Sequence, residues 1–231
     1  MTVAAPAAFV FDAYGTLFDV HSVAALAESI APGHGGALAR LWRAKQLEYS
    51  WLQSLMAAPG WPREDFAAVT AHALDYAVAA LVLPIGDSAR TRLLDAYRHL
   101  APHAGALDLL QALAPRPRII LSNGTRAMLA PLVTASGLGA ALDDVLSVDD
   151  AGVYKPAPAV YALATARLAL PPARIAFVSS NGWDAAGARA FGFTTFWINR
   201  DGLPVERHAP PPDFVVAALP DVLPIVRSLA A

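Results

Sequence analysis

Six short apolar runs limit what this chain can become, because most of them are continuous rather than alternating. They are Ala8-Phe9-Val10-Phe11, Arg118 to Leu121, Val145 to Val148, Ile175 to Val178, Thr194 to Ile198 and the weaker Phe214-Val215-Val216. A strand apolar at every position is covered on both faces, as parallel strands are. Helix-like stretches separate the runs: Ala104–Leu113, Arg126–Ala135, Pro156–Leu168, Asp184–Phe191 and Pro220–Leu229. Pro156 suits a first helical turn and Gly192 a helix end. Alternation of this kind predicts an α/β fold with a doubly wound, Rossmann-like parallel sheet. The composition allows it: 56% of the 231 residues are apolar and 16% charged.

The gap between the first two runs is too long for one crossover. Residues 20–102 read as helical throughout. In Leu38–Met56 the positions Leu38, Trp42, Tyr49, Leu52 and Met56 fall at helical spacing. Arg63–Leu81 and Asp87–Leu100 look similar, and Pro59-Gly60-Trp61-Pro62 reads as a turn. The expected organisation is an α/β core over 1–19 and 103–231, with a helical cap over 20–102. Ala209-Pro210-Pro211-Pro212 reads as a rigid loop before the last strand.

A net charge of −2 gives no electrostatic case for nucleic acid. The absence of cysteine removes disulfides, thiolate metal sites and a cysteine nucleophile. Residues 1–8 carry no basic segment, and no uninterrupted apolar stretch of about 18 residues is present. The expectation is a cytoplasmic enzyme without a membrane partner.

In open α/β sheets ligands bind outside the carboxyl ends of the strands. The polar residues there are Asp12, Tyr14, Gly15 and Thr16 after the first strand, and Ser122, Asn123, Gly124 and Thr125 after the second. Lys155-Pro156 follows the third, and Ser179, Ser180, Asn181 and Asp184 follow the fourth. Asp12 ends an apolar strand, so its carboxylate is partly dehydrated and needs a cation nearby. Lys155 is the natural partner. Thr16 can cap the next helix while hydrogen-bonding the site. Alone, Asp12 reads equally well as a turn residue; four convergent strand ends favour a site.

These residues resemble a known family. Phe11-Asp12-Ala13-Tyr14-Gly15-Thr16-Leu17-Phe18-Asp19, Ser122-Asn123-Gly124, Tyr154-Lys155-Pro156 and Ser179-Ser180-Asn181-Gly182-Trp183-Asp184 are similar to the four ordered motifs of the haloacid dehalogenase superfamily. The helical insertion resembles that superfamily's cap. The phosphatase branch has a general-acid Asp two residues after its nucleophile; Tyr14 stands there. It also usually carries Gly-Asp after the fourth strand; Ser179-Ser180-Asn181 stands there. Magnesium favours carboxylate oxygens, so the pattern resembles instead the metal-independent L-2-haloacid dehalogenases of type II. Leu41 to Leu52 is similar to the cap helix of those enzymes, with Arg43 about 100° off the Trp42/Tyr49 stripe.

The resemblance implies that Asp12 displaces halide from a 2-haloalkanoate, forming an aspartyl ester that water hydrolyses, without metal or cofactor. It implies that Arg43, Asn123 and Trp183 receive the halide ion and that Ser122 holds the substrate carboxylate. Lys155 keeps Asp12 ionised, Ser179 orients Lys155, and Asn181 and Asp184 manage the water. Thr16 supports the nucleophile. Tyr14 and Tyr161 are expected at the binding site, with packing as the alternative for Tyr161. Leu47 and Trp61 are candidates for the apolar wall. Alternatives are a preference for haloacetate or fluoroacetate, a magnesium-dependent phosphatase, or a non-catalytic binder. His99 and His103 have metal-like spacing, but Pro102 and the lack of a completing carboxylate argue against a metal. Asp149-Asp150 read as loop residues. Trp51, Leu52, Leu55 and Met56 could bury within the cap or form a homodimer.

Overall fold

Strand β1 (Ala8–Phe11) lies in the middle of the sheet, and all four of its residues are buried. The computed structural model describes residues 4–230. Residues 1–3 and 231 of the expected core spans lie outside the described residues. After β1 come helices α1 (His21–Ile30), α2 (Gly35–Met56), α3 (Phe66–Ala80) and α4 (Asp87–Ala96), then α5 (Ala106–Ala112). The chain continues through β2 (Arg118–Ser122), α6 (Arg126–Ala135), β3 (Asp144–Ser147), α7 (Pro158–Leu168), β4 (Ile175–Ser179), α8 (Gly182–Phe191), β5 (Thr194–Ile198), β6 (Phe214–Val216) and α9 (Val222–Leu229).

The sheet is parallel, with order β3-β2-β1-β4-β5-β6. Val10 pairs with Ile119 on one side and Phe177 on the other. The winding reverses between β1 and β4. A reversal there leaves a crevice at the carboxyl ends of both strands, and ligands bind in such crevices. The doubly wound α/β fold expected from the continuous runs is the one the chain adopts. Among the described residues, no helix is long and apolar enough to cross a membrane.

Helices α1 to α4 leave and rejoin the core through adjacent linkers. Phe18 and Pro102 form an antiparallel bridge. The Asp19 N–H donates to Ala101 O at 2.8 Å, and the His103 N–H donates to Leu17 O at 2.8 Å. The helical layer is fastened to the core elsewhere too. Tyr154 Oη donates to Glu64 O at 2.7 Å, the Tyr154 N–H donates to Ser54 Oγ at 3.0 Å, and Arg63 pairs with Asp149 at 2.8 Å. Asp149 and Asp150 are thus occupied by Arg63 and Arg126.

Several local expectations need correction. Pro156 is not in a helix; α7 starts at Pro158, which takes the first-turn position that tolerates a missing N–H. Thr16 caps no helix, because α1 begins only at His21. The inward row of α2 is Leu38, Trp42, Gln46 and Ser50, at steps of four. Leu52 and Met56 face solvent at 40% and 54% exposure. The expected stripe keeps to one face, whereas a row at steps of four turns about 40° around the helix with each step, so the two part company beyond Trp42. Gly192 does close α8, in the left-handed conformation that suits glycine.

Candidate active site

Asp12 follows β1 directly, and its backbone N–H continues the sheet by donating to Val178 O at 3.0 Å. This ladder bond fixes where the side chain starts. Three donors then hold the carboxylate. Lys155 Nζ lies 3.1 Å from Oδ1, while Thr16 Oγ1 at 3.0 Å and Asn181 Nδ2 at 2.8 Å donate to Oδ2. Gly15 makes the tight turn that brings Thr16 back, at φ +81°. Arg200 braces the same turn, donating to Gly15 O at 2.7 Å and Thr16 O at 3.0 Å.

Lys155 is fully buried between two carboxylates, with Asp184 Oδ2 at 2.9 Å. Burial alone would lower its pKa; Asp12 and Asp184 overcome this, and the value is raised. Asp184 is pushed up to about 6 by burial, against the pull of the Lys155 ammonium. Tyr161 Oη donates to Asp184 Oδ1 at 2.8 Å, and Ser179 Oγ donates to Oδ2 at 3.2 Å.

A small cavity of about 10 Å³ lies over Asp12. Its wall contains Asp12, Tyr14, Arg43, Leu47, Ser122, Asn123, Lys155, Asn181 and Trp183, together with Phe66. Arg43 reaches in from α2 and donates through Nη2 to Asn181 Oδ1 at 3.2 Å. Asn181 therefore joins the guanidinium to the Asp12 carboxylate through one amide. Asn123 Oδ1 accepts the Lys155 N–H at 3.0 Å, which leaves its NH₂ for the cavity. Ser122 Oγ accepts the Gly124 N–H at 3.1 Å, which leaves its proton free to donate. Among the described residues the buried Tyr14 hydroxyl has no partner, and burial first, then Tyr97 and Asp12, raise its pKa. It stays a neutral phenol.

Four expected positions lie elsewhere. Trp61 is 67% exposed in the turn between α2 and α3, far from the apolar wall assigned to it. Phe66, at the start of α3, stands in the wall instead. Tyr161 does not face the cavity; it packs beneath Asp184 against Phe177 and Phe193. Ser179 bonds Asp184 and the Asn181 N–H rather than Lys155. Asp184 meets the cavity only through Lys155, because its own oxygens are engaged below. Gln46, Phe66 and Arg200 escaped the sequence reading. Only Gln46 left a trace there, as a polar residue in step with Leu38 and Trp42. Among the described residues, no three His, Cys, Asp or Glu side chains gather as a metal site.

A family model described as haloacid dehalogenase-like hydrolase matches residues 6–192. The chain is 43% identical to (S)-2-haloacid dehalogenase of Pseudomonas putida over 92% of this chain and 93% of that one. It is 38% identical to haloacetate dehalogenase H-2 of Moraxella sp. (strain B), over 95% and 97% of the two chains. Among solved structures, the L-2-haloacid dehalogenase of Xanthobacter autotrophicus with chloropropionic acid covalently bound superposes with a TM-score of 0.87. That protein is 42% identical to this one over 96% of this chain and 98% of its own.

Proposed function

The chain belongs to the haloacid dehalogenase-like hydrolases, and from that premise we propose that it hydrolyses short L-2-haloalkanoic acids to D-2-hydroxy acids. Asp12 attacks C2 from the side opposite the halogen. The C2–halogen bond breaks, the halide leaves with the bonding electrons, and an aspartyl ester remains. Water then attacks the Asp12 carboxyl carbon, giving hydroxy acid, free Asp12 and one proton. C2 inverts once. One difficult displacement becomes two easier steps.

The observation that carries this reading is the shared cavity of Asp12 and Arg43. Three donors hold the Asp12 carboxylate in a fixed orientation for attack. A guanidinium whose two partners are neutral amide oxygens keeps its charge for a departing anion. Asn123 and Trp183 complete the halide's surroundings, and Ser122 meets the substrate carboxylate. Leu47 and Phe66 bound the alkyl chain. Thr16 and Asn181 orient Asp12. Lys155 balances the second negative charge that substrate brings. Residues 20–102 act as the cap that supplies Arg43, Leu47 and Phe66. The relatives with (S)-2-haloacid and covalently bound chloropropionic acid chemistry support the same assignment.

The haloacetate dehalogenase of Moraxella is 38% identical to this chain. A preference for haloacetates is therefore the second reading. Halide release from fluoro-, chloro- and bromoacetate against L-2-chloropropionate separates the two.

The route itself is tested by one turnover in heavy-oxygen water. Ester formation puts the label into the Asp12 peptide and leaves the first hydroxy acid unlabelled. Labelled product with an unlabelled peptide would mean direct attack by water, with Asp12 only a base.

A further inference from the structure

We infer that Gln46 is a positioning residue that aims Arg43 at the leaving halide while leaving its charge uncompensated. This rests on the dehalogenase reading above and deepens it. Gln46 is fully buried on the inward row of α2, where a primary amide is unfavourable unless both its ends are paired. Both are. Its Oε1 accepts from Arg43 Nη1 at 2.6 Å, and its Nε2 donates to Thr70 Oγ1 at 2.7 Å. The Thr70 hydroxyl in turn donates to Phe66 O on α3.

The direction of this chain is forced. A carbonyl only accepts, so Thr70 must donate to Phe66 O. Its lone pairs then face Gln46, which must offer its NH₂ there and its carbonyl to Arg43. Trp42 Nε1 pins the same turn of α3 by donating to Thr70 O at 2.8 Å. The orientation of Arg43 is thus set from the backbone of a second helix, not by the flexible stem of its own side chain.

The neutrality of Gln46 matters as much as its geometry. Lys155, the other cation in the cavity wall, sits between two carboxylates. Arg43 has amide oxygens on both sides, Gln46 Oε1 and Asn181 Oδ1. A glutamate in place of Gln46 would keep the bond to Arg43 and lose the one to Thr70, and it would cancel much of the field at the halide, because charges a few ångströms apart interact strongly in a dry site.

The test uses the full chain with Gln46→Glu and Gln46→Met, measuring kcat/KM on L-2-chloropropionate and L-2-bromopropionate and the inhibition constant of bromide. Chloride leaves less readily and leans more on the guanidinium. Gln46→Glu is expected to cut activity on the chloro acid by about 10–100-fold, in the range of losing part of a preorganised donor, and on the bromo acid by less. Bromide inhibition should weaken in parallel, and Gln46→Met should follow the same trend. Equal losses on both substrates with unchanged bromide inhibition, or no loss at all, overturn the proposal. If the Gln46 variants do not fold, Thr70→Val removes the anchor and leaves Gln46 in place; it must show the same leaving-group dependence, and a uniform loss overturns the proposal equally. Arg43→Ala separates this from the underlying reading. A loss of about 10²–10³ in rate supports the halide site; near-normal turnover sinks that reading itself, whatever Gln46 does.

Discussion

Lys155 answers to two carboxylates, and the one that touches no substrate sets its behaviour in acid. Asp184 titrates near 6, because burial disfavours its charge. As pH falls through that value, Asp184 becomes neutral and stops holding Lys155 Nζ from below. The ammonium is then free to pair only with Asp12, and the nucleophile is more tightly held. Turnover on L-2-chloropropionate should therefore show an acid limb with a midpoint near 6. In Asp184→Asn that limb should disappear from a much slower enzyme, with the ester accumulating as a mass increment on Asp12. An unaltered limb in the variant would assign it to another group. Stability runs the other way. The folded value lies above the ordinary carboxylate value of 3.8, so between the two the native state binds the proton that the unfolded chain releases. Stability from this group is present in acid and is lost as pH rises through about 6.

Helices α7 and α8 hold the floor on which that carboxylate rests. At Gly187, in the middle of α8, a Cβ would come within 2.6 Å of Tyr161 Oη and of Pro156 Cβ. Tyr161 is the donor to Asp184 Oδ1, so the glycine is what lets α8 approach closely enough for that bond. Gly187→Ala should cost about 1–3 kcal/mol by overpacking, read as a lower midpoint in thermal unfolding. It should also slow ester hydrolysis more than ester formation. A variant with wild-type unfolding would show that Tyr161 moves aside freely. The strands were legible in sequence because burial on both faces leaves continuous apolar runs, and the polar residues at their ends follow closely in the chain, Lys155 within eight residues of β3. Asp12, Ser122, Asn123, Lys155 and Asn181 were found that way. Phe66, Gln46 and Arg200 were not, because their roles come from elements meeting across the cavity or the sheet edge. Trp61 was misplaced for the same reason: an aromatic in a turn carries no sign of which side will be covered. The apolar stripe Leu38, Trp42, Tyr49, Leu52 and Met56 stays on one face of α2, whereas the buried row turns about 40° with every step of four, so its far end is covered on a side the apolar pattern does not mark.

Across the whole molecule, positive charge at the cavity comes from Lys155 and Arg43; Tyr14 stands where a phosphatase keeps its general acid, and Asn181 where a magnesium site would want a second carboxylate. Asn181 already spends its amide on Asp12 and Arg43. Divalent metal therefore has no carboxylate pair to enter, and activity on L-2-chloropropionate should be unchanged after exhaustive chelation. Loss of activity in chelator, restored by magnesium, would return the chain to the phosphatase branch. The helical layer joins the core through two adjacent linkers, where Asp19 meets Ala101 and His103 meets Leu17. Those two contacts have a consequence for how such a protein came to be assembled. The ends of the inserted stretch already touch, so β1 can pass to α5 through a short turn without disturbing any strand of the sheet. A long excursion closed at one point costs little more chain entropy than a short one, since that cost grows only with the logarithm of length. Chain entropy therefore sets little limit on the length of chain between residues 19 and 101, and the further ties of that stretch to the core, through Tyr154 and Asp149, are made outside the strands.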